Sequence, residues 1–423
     1  MNIFHGIRQL RADVRKLNRS AWLLLIATVM DGLIFSAWSL FFNFYILQRG
    51  FDRQFLGLAN AMPSVGALLL GIPIGVLSDR LGRKQSMMLG LMISTSGLLL
   101  QVIIPQPILI LMAGFLGGLG NMLFFVSQAP LMMKISDDET RTLLFSLNYG
   151  LFTLSGAVGS LFAGQLPAIF ADWMKVAADS ASAYQAVLVS AAVISYGTLV
   201  PLILLKEPRV LGQSKMAAVS IREILKVLVQ KLTFKLSLPN LLIGLGAAIL
   251  IPYMNVFLRE RYSISDQWLG ALFSMSALLT GLASIIVPRL SNSLGGKIRS
   301  VVITQAVSVI FLLVLGFSPF LWLSSLAFLV RATLMNMANP LYHAFAMEQI
   351  PEERQGAVNS VMELSWQFGW SVGPYLSGIV QAQYGFTPLF LATALIYSFS
   401  TMLVWINFRG KESPAMSAIA LEP

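Results

Sequence analysis

The chain has 423 residues, 56% of them hydrophobic and only 11% charged, with a mean hydropathy of +0.75. A soluble domain carries about 25% charged residues, so a soluble globular fold is excluded and most of the length belongs in lipid. There is no cysteine, which removes disulfides, thiol chemistry and sulfur-ligated metals, and the two histidines, His5 and His343, are too far apart to form a metal set.

The first 20 residues are polar and basic ("RQLRADVRKLNR") and run directly into a full-length apolar span with no small-residue cleavage site. No cleavable signal peptide is therefore expected. Apolar runs of about 20 residues without period-two alternation form helices rather than barrel strands. Runs bounded by charges, Pro or Gly predict twelve spans: 20–48, 55–78, 84–104, 107–134, 141–165, 182–205, 238–260, 266–289, 298–317, 320–347, 355–381 and 386–408. The expected fold is an all-α membrane protein of two pseudo-symmetric six-helix halves. These are residues 1–205 and 238–410, joined by a polar, basic linker at 206–237 and followed by a tail at 411–423. Within the linker, Ile221, Ile224, Leu225, Leu228 and Leu232 recur at helical spacing, with Arg222, Lys226 and Lys231 away from them. This pattern fits an amphipathic helix on the inner leaflet, and fits an ordinary solvated linker helix equally well.

Charge placement sets the expected orientation. With the N-terminus inside, 23 of the 29 Lys and Arg residues fall on the inner side and five on the outer side, while Arg331 lies within a span. That bias puts both termini and the linker in the cytoplasm. The halves also repeat. Shifting the chain by 213 residues lays Gln54, Leu56 and Gly57 on Gln267, Leu269 and Gly270. It also lays Leu81, Gly82 and Lys84 on Leu294, Gly295 and Lys297, Arg141 on Arg354, and Asp79 on Asn292. Several matches at one offset, at the same place in each half, indicate duplication of the kind found in many transporters.

Between spans 2 and 3 the sequence reads "GIPIGVLSDRLGRKQSMMLG". Gly75, Leu77, Asp79, Arg80, Gly82, Arg83 and Lys84 match throughout the signature G-x-L-x-D-R-x-G-R-K. With the two six-helix halves, this closely resembles the major facilitator superfamily (MFS). Gly82 suits a tight turn. Asp79 is placed to pair with Arg83 and to face a helix N-terminus, where amide donors are unsatisfied. The resemblance implies that this partner is the start of span 11, near Glu353 and Arg354, and that the cluster acts as a gate between rocking halves. The motifs of proton-driven drug antiporters are incomplete. Gly118 and Gly120 are present in span 4, but Ala113 and Gly114 occupy the positions where an Arg is expected. Span 5 has Gly156 and Gly159 without a Pro, and the Gly-Pro pair falls in span 11 at Gly373–Pro374.

Three charges sit in mid-span: Asp31, Arg331 and Glu363. At about 1.5 Å per residue, Asp31 and Arg331 lie roughly 17 Å from the nearer span start and Glu363 roughly 12 Å. Each costs on the order of 3 kcal/mol if exposed to lipid, so all three should face the interior. Amides follow them: Asn43 in span 1, Asn121 and Gln128 on one face of span 4, Asn148 in span 5, Asn255 in span 7, Asn336 and Asn339 in span 10, and Gln367 one turn after Glu363. Spans 3, 6, 9 and 12 carry few such groups. The resemblance implies that those spans lie outside while spans 1, 4, 7 and 10 line a cavity. A single Asn or Gln can equally serve as an interhelical hydrogen bond. His343 suits a structural role near the end of span 10. Glycines four apart, Gly71 and Gly75 or Gly369 and Gly373, predict close helix packing.

The expectation is a secondary transporter in a bacterial cytoplasmic membrane, acting as a monomer by alternating access on a small organic solute. Arg331 would hold an anionic group or act as a counter-ion. Asp31 and Glu363 would carry protons, and Asn121, Gln128, Asn336, Asn339 and Gln367 would supply hydrogen bonds. Efflux of a drug or metabolite is favoured. A uniporter or organic-anion exchanger without proton coupling, and a membrane substrate sensor, are the alternatives. No G-x-x-x-x-G-K loop is present, no cofactor or nucleic-acid partner is implied, and no catalytic set marks an enzyme.

Overall fold

A computed structural model describes residues 14, 16–137, 139–207 and 226–410. Among them the chain is helical, without strands. In chain order the helices are α1 (Arg19–Gln48), α2 (Arg53–Leu81), α3 (Arg83–Ile103), α4 (Pro107–Ile135), α5 (Arg141–Ala163), α6 (Leu166–Met174), α7 (Ala181–Tyr196) and α8 (Leu199–Leu204). They continue with α9 (Lys231–Ala248), α10 (Met254–Tyr262), α11 (Asp266–Ser293), α12 (Lys297–Phe317), α13 (Leu321–Glu348), α14 (Glu352–Tyr384) and α15 (Thr387–Phe408).

Among the described residues, eleven segments are long and apolar enough to cross a membrane. The predicted span 11 is also helical, as the 33-residue α14, but Glu363, Gln367 and Gln381 make it the polar member of the set. Three spans depart from the expected boundaries. Span 5 runs through α5 and on into α6, as far as Met174. Span 6 breaks at Gly197–Thr198 into α7 and α8. Span 7 begins at Lys231 rather than 238, because Leu236 is fully buried in the core and pulls the polar first turns into the helix. Span 7 then breaks at Ile249–Leu250 and resumes through a short 3₁₀ turn, Ile251–Tyr253. Pro252 has no N–H to continue the helix. Side chains satisfy carbonyls along the broken helix: Ser377 donates to Ile249 O, and Thr393 donates to Gly246 O at 3.1 Å. Irregular backbone at membrane depth requires such internal partners. Residues 221–225 of the amphipathic linker segment lie outside the described residues, as do the side chains of Asn292 and Glu353.

The chain divides into two compact units. One is Met1–Ala218 with Leu258–Ala277, and the other is Val219–Phe257 with Leu278–Pro423. In the first unit α1 packs on α5 and α7, and α3 packs on α4 and α7. In the second unit the equivalent helices repeat this scheme: α9 on α14 and α15, and α12 on α13 and α15. The first core gathers Leu24, Leu25, Leu91, Phe124, Leu131 and Leu144. The second gathers Leu236, Val301, Leu341, Phe345, Met362 and Phe408.

Glycine permits the closest crossings. A Cβ on Gly97 would lie 2.7 Å from the Ala113 carbonyl and the Gly117 backbone, so α3 and α4 touch almost backbone to backbone. Gly118 and Gly120 belong to the same device, meeting the backbones of Pro63 and Gly90. Gly369 and Gly373 pack against α9 as expected. Gly75 does not share that role, because a Cβ there meets no atom within 4 Å.

Candidate functional site

The signature loop folds as a turn fastened from three directions. Gly82 adopts φ +91°, a conformation that other residues rarely take, and Gly295 in the repeated loop adopts φ +83°. Asp79 and Arg83 form an ion pair one helical turn apart. Arg83 also donates to Ser78 Oγ at 2.8 Å, and Ser78 hydrogen-bonds Ser127 of α4 at 2.7 Å. Lys84 donates its ammonium to the carbonyls of Ile203 and Leu205, both at 2.7 Å, and so caps the end of α8. Arg80 is exposed.

Glu207 completes this cluster. Its carboxylate accepts the backbone N–H of Lys84 at 3.0 Å and the Lys134 ammonium at 2.8 Å. It therefore caps the start of α3, where amide donors lack helical partners, and ties it to the end of α4. Partial burial pushes the Glu207 carboxyl up, but the Lys134 ammonium and the amides of Lys84 and Arg83 outweigh it and hold the group below its ordinary value. Nearby, Asn18 caps α1 and donates to Ile135 O at 2.5 Å, and Ser20 donates to Lys206 O at 3.0 Å. The start of α1, the α2–α3 turn, the end of α4 and the end of α8 thus gather on one side of this unit.

A second charged cluster closes the other end of the same unit. Arg259 pairs with Asp266, donates to Tyr184 Oη at 3.2 Å, and lies 4.6 Å from the centre of the Phe44 ring. Arg53 and Glu260 pair at 2.6 Å. These contacts hold residues 258–277 against α1, α2 and α7.

The mid-span groups fall into separate sets. In the first unit Asp31 is half-buried, and no hydrogen bond or ion pair reaches it among the described residues. Below it, Thr28 donates to Asn148 Oδ1 at 2.6 Å and Gln128 donates to the same oxygen at 3.4 Å, linking α1, α4 and α5. Asn121 is exposed on α4. In the second unit Glu363 is exposed and accepts from Gln367 at 3.1 Å. It is close enough to His343 for their charges to interact. Asn336 is exposed, Asn339 and His343 are half-buried, and these three share one stripe of α13 at 100° per residue.

Arg331 does not join that stripe. It is 4% exposed, and its guanidinium donates to Tyr397 Oη of α15 at 3.4 Å. Its Nε has no hydrogen-bond partner among the described residues. On the helix wheel it stands about 140° from Asn336. Within the first unit the structure brings together Thr28, Gln128 and Asn148, and within the second it brings together His343, Glu363 and Gln367, with Arg331 bonded elsewhere, to Tyr397.

Sequence reasoning missed Glu207, Lys134, Tyr397, Tyr184 and the Arg259–Asp266 pair. Glu207 carried one usable signal, as an acid directly after a span in an otherwise basic segment. Tyr397 carried none, because an isolated Tyr in an apolar span reads as packing.

Comparisons with known proteins agree with this architecture. The family model described as Major Facilitator Superfamily matches residues 24–370 and 236–422. Sugar efflux transporter A of Escherichia coli (strain K12) is 25% identical over 165 residues, covering 38% of this chain and 42% of that protein. Multidrug resistance protein MdtG of Citrobacter koseri is 26% identical over 180 residues, covering 41% and 43%. The chain thus spans less than half the length of these curated relatives. Among solved structures, a bacterial homolog of the human lysosomal transporter Spinster superposes with a TM-score of 0.73 at 14% identity, covering 93% of this chain and 98% of that one. The nucleoside transporter NupG superposes with a TM-score of 0.72 at 14% identity, covering 93% and 99%. A family match over most of the sequence, joined to the repeated six-helix packing and the intact loop at Gly75–Lys84, means that this chain belongs to the Major Facilitator Superfamily.

Proposed function

We propose that the protein is a secondary transporter, not an enzyme, that exports a small amphipathic organic solute across a bacterial cytoplasmic membrane by alternating access. The observation that carries this reading is the presence of Asp31 and Glu363 at mid-span, neither with a cation bonded to it among the described residues. A carboxylate at membrane depth is costly unless it is neutralised, and taking up a proton is the route open to it. Each acid is therefore assigned as a proton carrier. Gln128 and Asn148 beside Asp31, and Gln367, His343 and Asn339 beside Glu363, are assigned as hydrogen-bonding groups for the solute. The aromatic pair Trp366 and Trp370, with ring centres 6.1 Å apart, supplies an apolar surface next to Glu363. Such a mixture suits an amphipathic drug, metabolite or sugar-like molecule better than a bare ion. The efflux names of the relatives point the same way. Arg331, buried against Tyr397, is assigned to hold α13 and α15 together and to bias the field at the second set.

The test is solute transport in proteoliposomes, with and without an imposed pH gradient, in wild type, Asp31→Asn and Glu363→Gln. The reading requires gradient-driven transport in wild type and only downhill exchange in the acid variants. Wild-type transport indifferent to the gradient would overturn proton coupling. It would leave the second reading, a uniporter or exchanger, which the missing antiport Arg at Ala113–Gly114 favours.

A further inference from the structure

One concavity of the second unit is lined by none of its polar mid-span groups. It is a groove of roughly 630 Å³ between α12 and α15, lined by Arg299, Ile303, Ala306, Ile310, Met402 and Trp405. Its volume is within the range of sites that hold drug-sized ligands, about 300–1,000 Å³. Its walls are unlike such a site. Ile303, Ile310 and Met402 are exposed on an apolar flank of the helices. Two hydroxyls line the wall: Thr401 Oγ1 is already engaged, by Gln305 at 3.1 Å and by the Tyr397 carbonyl at 2.8 Å, and Ser398 is exposed. A polar solute would find little to bond along the groove.

Length and charge identify what fits. From Arg299 to Ile310 is eleven residues of α12, a rise of about 16 Å. This is half of a hydrocarbon core about 30 Å thick, the depth of one leaflet. Ala306 is the gap in the row, with larger side chains one turn to either side. At the loop end stand Arg299, an exposed residue, and Trp405, and the exposed Arg409 directly follows the last residue of α15. A Trp and basic residues at one level mark the headgroup boundary, and basic sites between helices at that level bind anionic headgroups.

We propose that this groove is a binding site for one anionic phospholipid of the leaflet on the Arg299 side. One acyl chain lies over Ala306 and the phosphate sits between Arg299 and Arg409. Placing that leaflet on the cytoplasmic side rests on the charge-derived topology, but the site itself does not. The site is separate from the mid-span groups assigned to solute, so its failure leaves the transport reading intact.

The experiment is native mass spectrometry of full-length protein released from nanodiscs of phosphatidylethanolamine and phosphatidylglycerol in equal amounts. The wild type is expected to retain one phosphatidylglycerol, enriched about fivefold for each contributing cation. Arg299→Gln should lower that enrichment about fivefold while a lipid is still retained, and Arg299→Lys should restore most of it. Ala306→Trp, a change at an exposed position that fills the groove, should abolish retention without altering the melting temperature. Retention in the bulk ratio by wild type would overturn the proposal. So would enrichment unchanged in both Arg299→Gln and Ala306→Trp, or retention of a small solute in place of lipid.

Discussion

Replacing Glu207 by Gln removes a charge that three helix ends share. The carboxylate accepts the Lys84 amide at 3.0 Å and the Lys134 ammonium at 2.8 Å, and the side chains of Glu207 and Lys134 are only 20% and 24% exposed. Hydrogen bonds to charged groups contribute about 1.5–3 kcal/mol each, and the Gln oxygen retains part of one of them. The net loss is then about 2–3 kcal/mol. At about 2–4 °C per kcal/mol for a unit of this size, the melting temperature should fall by about 4–12 °C. The effect has a pH signature. The Glu207 carboxyl is held below its ordinary value, so its contribution is present above the unfolded value and is lost as pH falls through the lowered native one. The gap between wild type and Glu207→Gln should be full at neutral pH and close on acidification. The assay is tryptophan-fluorescence melting of detergent-solubilised protein across that range. Equal melting at neutral pH, or a gap that persists in acid, would refute the assignment of Glu207 as the cap of α3.

Four further outcomes are expected. A cysteine at Ser214, the sole thiol in the variant, should resist an impermeant reagent in intact cells, and labelling there would contradict the cytoplasmic placement of the linker. Asp79→Asn should slow transport while the protein still reaches the membrane, and a normal turnover would reduce the loop to a topology signal. Gly97→Val should lower membrane yield through an overpacking penalty of about 3 kcal/mol or more, since the atoms 2.7 Å from its Cβ are backbone; wild-type yield and melting would refute the close α3–α4 crossing. Arg331→Ala should abolish transport in a protein that still folds, and transport at the wild-type rate would make Arg331 purely structural.

Much of the fold could be read from the sequence because lipid leaves few options. Twelve apolar runs had to become helices, and each predicted span is largely helical, with interruptions in spans 5, 6 and 7. The boundary errors have local causes. Leu236 draws Lys231–Lys235 into α9, and Pro252 and Gly197 interrupt spans that hydropathy alone shows as continuous. Hydropathy averages over such breaks and cannot detect a single missing N–H. The signature loop was readable residue by residue, including the turn at Gly82. Its anchor was not, because Glu207 reaches Lys84 across 123 residues and no periodicity connects them.

Arg331 shows most clearly where depth and direction separate. The rise per residue places it at mid-span beside Asp31 and Glu363 in height, and that count is blind to azimuth. At 100° per residue it stands well away from Asn336, Asn339 and His343, and it bonds Tyr397. Height alone therefore does not say which groups of the second unit Arg331 can reach. The coupling mechanism is constrained accordingly. If Arg331 is committed to Tyr397, an exchange of this cation between the two acids cannot be the transport cycle, and each acid must be neutralised by its own proton. Tyr397→Phe then separates the two mechanisms. It frees Arg331 of its hydrogen-bond partner on α15 without touching either carboxylate, so a mechanism of local protonation keeps its gradient dependence, whereas a mechanism that needs Arg331 to move between acids changes its rate.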